Sequence, residues 1–302
     1  MTWFTSPADA LARLSATGYL ADEATATTAF LAGALEKPVL IEGPAGVGKT
    51  ELAKAVARAT DAELVRLQCY EGLDEARALY EWNYKKQLLR IQAAGGTEGQ
   101  SWAEAHDEIF GEEFLLSRPL LTAIRRTTPT VLLIDEVDKT DVEVEGLLLE
   151  VLSDFQVTIP ELGTIEAVRR PFVVLTSNAA RELSEAVKRR CLYLHLDYPS
   201  AAREREIVTR HVPSLDEGVV AQLVDVVARL RELELKKAPS IAESVDWART
   251  LIALQAGTLD AATIDATLGV VLKHVSDQDR ARRELKLASG VPAKKTSAHP
   301  FR

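Results

Sequence analysis

An α/β fold, with a parallel five-stranded sheet around a phosphate-binding loop and an all-helical domain behind it, is what the sequence predicts, on three observations. Five short runs rich in β-branched and aliphatic residues alternate with helical patterns over the first two-thirds of the chain, the arrangement that gives parallel sheets. The first of these runs leads at once into a glycine-rich loop and a helix. Beyond Pro199 the chain shows helical runs punctuated by Pro213, Gly218, Pro239 and Gly257, and no convincing strand pattern.

Taken in order, amphipathic helices are expected near Ala8 to Thr17 and Asp22 to Leu35. Pro38–Glu42 (PVLIE) reads as a buried strand. The helix Glu51–Thr60 places Leu52, Ala55, Val56 and Ala59 on one face, and Glu63–Gln68 alternates as a second strand, completing a βαβ unit. From Tyr70 to Gly111 the pattern loosens into helical pieces around Gly95-Gly96, with Tyr80, Trp82 and Tyr84 at every second position; this stretch reads as an insertion. Thr130–Ile134 is continuously apolar, as a central strand covered on both faces requires, and it ends in Asp135-Glu136. A helix over Val142 to Ser153 is followed by two strand-like runs, 155–159 and 164–168, flanking Pro160–Gly163, which reads as a β-hairpin. Pro171–Thr176, ending in Ser177-Asn178, and Cys191–Leu196 supply the last two strands. The expected domains are therefore 1–199 (α/β, insertion about 70–111, hairpin about 155–168), a helical domain over 200–288, and an unstructured basic tail over 289–302.

The chemistry follows from strand ends. In Gly43-Pro44-Ala45-Gly46-Val47-Gly48-Lys49-Thr50, with Glu51 following, the glycines let backbone N–H groups wrap phosphates at a helix N-terminus. Lys49 can reach the β/γ-phosphates and the Thr50 hydroxyl can ligate Mg²⁺. An isolated Asp-Glu pair is more often solvated punctuation. At the end of a buried strand downstream of a phosphate loop it divides labour instead: Asp135 holds Mg²⁺ with Thr50, and Glu136 polarises the water that attacks the γ-phosphate. Asn178 could orient that water from the other side. Arg189 and Arg190, before the last strand, could deliver a guanidinium to a neighbouring subunit's γ-phosphate, although two surface arginines are as readily plain solvated charge.

Composition narrows the partners. At 302 residues, 47% apolar and 27% charged, the chain is ordinary for a soluble two-domain protein. A net charge of −9 opposes nonspecific nucleic-acid binding, which draws its affinity from Lys and Arg on phosphates. No stretch approaches about 20 consecutive apolar residues, and the N-terminus lacks a basic segment leading into an apolar core, so the expected location is the cytoplasm. Cys69 and Cys191, each beside an apolar run, read as buried free thiols.

Together, Gly43–Thr50, Leu132–Glu136, Thr176-Ser177-Asn178 and Lys188-Arg189-Arg190 resemble the Walker A, Walker B, sensor 1 and arginine-finger motifs of AAA+ ATPases, over roughly residues 20–275. The hairpin and the 70–111 insertion resemble those of the MoxR family; Gln68–Asp74, Tyr80–Tyr84 and Gln87-Leu88-Leu89 are similar to its CoxD-type branch. That resemblance implies ATP/ADP and Mg²⁺ as cofactors, a homo-hexameric ring, a von Willebrand factor A domain partner, and a metalloenzyme client such as a molybdenum-dependent carbon monoxide dehydrogenase. It also implies a helical lid carrying a Ser-Pro-Arg sensor 2; here Pro239–Ser244 puts Ala242 where the arginine is expected, leaving Arg249 or a neighbouring subunit to substitute. Two other readings share the ATP chemistry: a DNA-acting motor, disfavoured because Gln156 to Ala167 contains no basic residue, and a metal-chelatase motor subunit.

Overall fold

The computed structural model describes residues 2–93 and 109–287. The helical pieces expected around Gly95-Gly96 and the tail 289–302 lie outside the described residues. The chain divides into two compact units, Met1–Asp197 and Tyr198–Arg302.

In the first unit, β1 (Val39–Glu42), β2 (Glu63–Gln68), β5 (Thr130–Asp135), β8 (Phe172–Ser177) and β9 (Leu192–His195) form one parallel sheet in the order β2-β5-β8-β1-β9. All six residues of β5 are buried, and successive side chains serve opposite faces. Leu132 and Ile134 join Leu40, Leu120, Ile124, Leu148 and Leu175, while Val131 and Leu133 join Leu14, Ala29, Leu52, Val56 and Val174. Each fully buried aliphatic side chain contributes about 1.5–3 kcal/mol, so this strand alone anchors two cores. Both faces being covered is why its sequence is apolar without interruption.

Register then decides what meets at the sheet's C-terminal edge. Gln68 is opposite Asp135, Ile134 is opposite Leu175, and Ile41 is opposite Thr176. Gln68, Asp135 and Thr176 therefore lie in one row, beside the loop that leaves β1 at Glu42.

Two smaller sheets decorate this core. Helix Glu75–Ala78 leads into β3 (Tyr80–Trp82), which pairs antiparallel with β4 (Leu115–Ser117); helix Tyr84–Ala93 lies between them in sequence. The ribbon departs from the helical pieces expected for this stretch. Trp82 is buried, stacked edge-on against Phe110 at 5.2 Å and Tyr80 at 6.3 Å, whereas Tyr84 is 66% exposed. The expected hairpin forms from β6 (Gln156–Ile159) and β7 (Gly163–Glu166), and it packs inward through Val157 and Ile159. Phe155, in the left-handed region at φ 54°, ends the helix Val142–Asp154 and turns the chain into it. Thr158 fastens the hairpin by donating its N–H and hydroxyl to Glu150.

The second unit contains helices Ala201–His211, Glu217–Arg231, Ile241–Ala253, Ala261–Val271 and Val275–Glu284, and no strand among the described residues. Ser200, Asp216, Ser240 and Asp260 cap four of them with side-chain oxygens. Its core is built on Leu223, Val227, Trp247, Leu251 and Leu268. Buried Glu204 takes both guanidinium nitrogens of Arg231, at 2.5 and 2.9 Å, and the Ser244 hydroxyl at 2.7 Å. Arg231 also donates to the Pro239 carbonyl at 2.8 Å, fixing the entry to the helix that carries Ala242. Ala242 is exposed; Arg249, also exposed, sits seven residues on, about 10.5 Å along the same helix face, with its guanidinium on Asp246 at 3.1 Å.

Cys69 is buried and Cys191 half-buried, both as free thiols. Burial pushes each thiol up to about 12.

Candidate nucleotide site

The loop after β1 is shaped by glycine. Gly43 has φ 153°, and a Cβ placed there would lie 1.8 Å from the carbonyl oxygen of Leu196, whose own N–H bonds the Glu42 carbonyl at 2.8 Å. Gly43→Ala is therefore expected to lower stability by about 2–4 kcal/mol, read as a drop in Tm, because both the backbone conformation and the β9 contact must give. Gly46 (φ 77°) and Gly48 (φ 99°) continue the left-handed turns, and helix Lys49–Thr60 starts directly at Gly48 with no side-chain cap. The helix thus begins two residues before the apolar period does, and its leading N–H groups face the loop. That is a cradle for an anion of phosphate geometry.

Lys49 is buried and donates all three ammonium protons: to the Gly43 and Pro44 carbonyls, each at 2.7 Å, and to Asn178 Oδ1 at 2.8 Å. Burial lowers its pKa, opposed by the charges of Asp138, Asp135 and Glu136. Reaching a phosphate requires exchanging at least one of these bonds, so the lysine is pre-aimed rather than free.

Asp135 Oδ1 accepts the Thr50 hydroxyl at 2.9 Å and the Thr176 hydroxyl at 2.6 Å; Oδ2 accepts Arg66. A threonine hydroxyl and a carboxylate converging at hydrogen-bond distance are the hard oxygen donors that suit Mg²⁺, so the residues present fit that ion. Among the described residues no group of three or more His, Cys, Asp or Glu could hold a metal unaided. A magnesium held here would be completed by phosphate oxygens and water, and would supply charge neutralisation of the transferred phosphoryl group.

Glu136 follows in the left-handed region at φ 58°, its N–H bonded to Thr176 Oγ1 at 2.9 Å. That turn directs its carboxylate toward Lys139 (2.7 Å), Gln68 Nε2 (3.0 Å) and Asn178 Nδ2 (3.4 Å). The hydrogen bond to Glu136 raises the Lys139 pKa. Asn178 therefore touches both the phosphate-loop lysine and the would-be base. Its own N–H, and that of Ala180, bond to Asp138 Oδ2 at 3.2 and 3.0 Å. Lys49, Thr50, Asp135, Glu136 and Asn178 come together as one hydrogen-bonded cluster at the ends of β1, β5 and β8.

Other expected residues lie elsewhere. Glu51 turns its carboxylate along the helix to Arg58 (2.7 Å) and Lys54 (3.6 Å). Arg190 is tied into its own subunit, donating to Ser153 Oγ and to the Ala186 carbonyl at 2.9 Å. Arg189 projects outward, 81% exposed, with the Glu185 carboxylate 3.9 Å away. Sequence reasoning gave no role to Arg66, Asp138 or Lys139, and took Gln68 and Thr176 only as members of longer motifs; the one local signal was the spacing of Asp138, three residues after Asp135.

A phosphate loop, a carboxylate pair on the central strand and a polar residue on the next strand define a P-loop AAA+ nucleotide-binding domain. Residues 38–191 match the family model of the AAA domain (dynein-related subfamily), and the chain belongs to that family. With it comes an ATP-hydrolysing domain. The chain is similar to chaperone protein ClpB 2 of Parasynechococcus marenigrum, 36% identical over 144 residues, which are 47% of this chain and 13% of that protein. It is also similar to a chloroplastic ClpA homolog, an ATP-binding subunit of the ATP-dependent Clp protease, of Brassica napus: 27% identical over 205 residues, 67% of this chain and 21% of that one. Among solved structures, a RuvB mutant of Thermotoga maritima aligns with 93% of this chain and 73% of its own, at 15% identity and a TM-score of 0.48. The chain thus spans about one-eighth to one-fifth of the length of these curated relatives.

Proposed function

We propose that this chain is a Mg²⁺-dependent ATPase that spends hydrolysis on remodelling a partner protein. The observation that carries the reading is the single cluster in which Lys49 Nζ, Asn178 and Glu136 are bonded in series, and Thr176 joins Glu136 to Asp135 and Thr50, around an uncapped helix N-terminus. Lys49 and the loop N–H groups hold the phosphates, Thr50 and Asp135 hold the metal, and Glu136, kept in reach of Asn178, takes the proton of the attacking water. Arg189 is the residue offered to a neighbour's γ-phosphate, since Arg190 is occupied within its own fold. The domain assignment goes with this: residues 1–199 bind nucleotide and 200–288 act as the lid. Chaperone names among the relatives favour a protein rather than a nucleic-acid substrate, as does the net charge of −9.

The finer reading is a MoxR-type ATPase close to the CoxD branch, working as a cytoplasmic homo-hexamer with a von Willebrand factor A domain partner on a molybdenum hydroxylase client. It rests on Gln68–Asp74, Tyr80–Tyr84 and Gln87–Leu89. No helix among the described residues is long and apolar enough to cross a membrane. The test is specific ATPase activity against protein concentration, with and without such a partner. Activity that rises with concentration supports sites shared between subunits; a concentration-independent rate overturns the ring. Failure of the client's activity to depend on co-expression with this chain overturns the maturation role and leaves the ATPase reading standing.

A further inference from the structure

We propose that Arg66 is a built-in placeholder for the divalent cation, holding the outer oxygen of Asp135 while the metal position beside it is empty. The inference rests on the ATPase reading and deepens it. Arg66 and Gln68 lie two apart on β2 and so share a face of the sheet, next to β5. One nitrogen of Arg66, Nη2, donates both its protons: to Asp135 Oδ2 and to Gln68 Oε1. With its oxygen taken, the Gln68 amide must turn its Nε2 outward, where it donates to Glu136 Oε2 at 3.0 Å. The two carboxylates at the end of β5 are thereby bridged by a second route, Asp135 to Arg66 to Gln68 to Glu136, outside the backbone that joins them.

The burial of the two ends gives this bridge a direction. Asp135 is 3% exposed in its side chain and Arg66 48%. The inner oxygen of Asp135 is satisfied by two threonine hydroxyls, so the guanidinium serves only the outer one. An unpaired buried carboxylate is costly, and Arg66 removes that cost while no cation is near. A divalent cation directed at the same carboxylate repels the guanidinium, which has solvent to withdraw into. The outer oxygen of Asp135 is thus kept paired until the metal position is filled. Arg66 acts as a positioning residue and touches no reacting atom.

The test is a Mg²⁺ titration of the binding of a fluorescent non-hydrolysable ATP analogue to the full chain, backed by Mn²⁺ binding read by electron paramagnetic resonance. Half-saturating metal is expected to fall about five-fold in Arg66→Ala, equivalent to the ~1 kcal/mol of a half-exposed ion pair. Arg66→Lys, which keeps the charge and loses the fork, is expected to stay within about two-fold of wild type. Thermal melting confirms that both variants fold. A metal midpoint in Arg66→Ala equal to or above that of wild type overturns the placeholder while leaving the ATPase intact. Metal-independent binding in the wild type itself overturns the ATPase reading and this one with it.

Discussion

Glu136→Gln is expected to leave ATP bound and to cut turnover by about 10²–10⁴-fold, the range contributed by a positioned general base. The substitution keeps the side chain's length and its ability to accept from Lys139 and Gln68, so the left-handed turn at φ 58° and the N–H bond to Thr176 have no reason to move. Nothing in the phosphate cradle or at Asp135 is touched. The variant therefore separates binding from chemistry, measured as fluorescent-nucleotide affinity against phosphate release. Lys49→Ala is the contrasting change. It removes three hydrogen bonds at once and leaves the Gly43 and Pro44 carbonyls and Asn178 Oδ1 without their donor, so affinity itself should collapse. Wild-type turnover by both variants would sink the assignment of this cluster as the hydrolytic site.

How much of this was legible in the sequence depends on whether the signal is local. The central strands were legible because a strand buried on both faces is apolar through its interior, as β5 and β8 are, and Glu63–Gln68 was legible by its alternation. The phosphate loop and Asp135-Glu136 were legible because each is a contiguous pattern beside such a strand. Helix Lys49–Thr60 starts two residues before its apolar period because Gly48, left-handed, feeds straight into it; periodicity reports the buried face and says nothing of a glycine start. The β3/β4 ribbon was missed because three-residue strands carry almost no period, and the partners Trp82 and Leu115 are far apart in sequence. Arg66 and Gln68 read as ordinary polar positions of an alternating strand. They become site residues only when β2 pairs with β5 in a register that sets Gln68 opposite Asp135, a long-range choice with no local signature. The alternating Tyr80, Trp82 and Tyr84 divide in the same way: Trp82 is used in packing, and Tyr84 stays exposed.

The arginine pair is where packing separates two residues that sequence left equal. Arg189→Ala is expected to lower turnover by about 10³-fold or more, the range for an arginine supplied in trans, with Tm nearly unchanged, because an 81% exposed guanidinium makes only a solvent-exposed ion pair with Glu185 in its own chain. Arg190→Ala should do the reverse. Its guanidinium joins the Ser153 hydroxyl to the Ala186 carbonyl, pinning the short helix Glu185–Lys188 to the end of helix Val142–Asp154, so its loss should cost about 1–3 kcal/mol of stability and lower Tm. The two effects are distinguished by mixing. If Arg189 acts on a neighbour, adding Arg189→Ala protomers to wild type should depress activity more steeply than their fraction, since each variant subunit disables a site it does not own. Arg190→Ala protomers, once folded and incorporated, should dilute activity in proportion. Steep poisoning by Arg190→Ala instead would mean that its bonds to Ser153 and Ala186 are surrendered at the subunit interface, and would transfer the role to that residue.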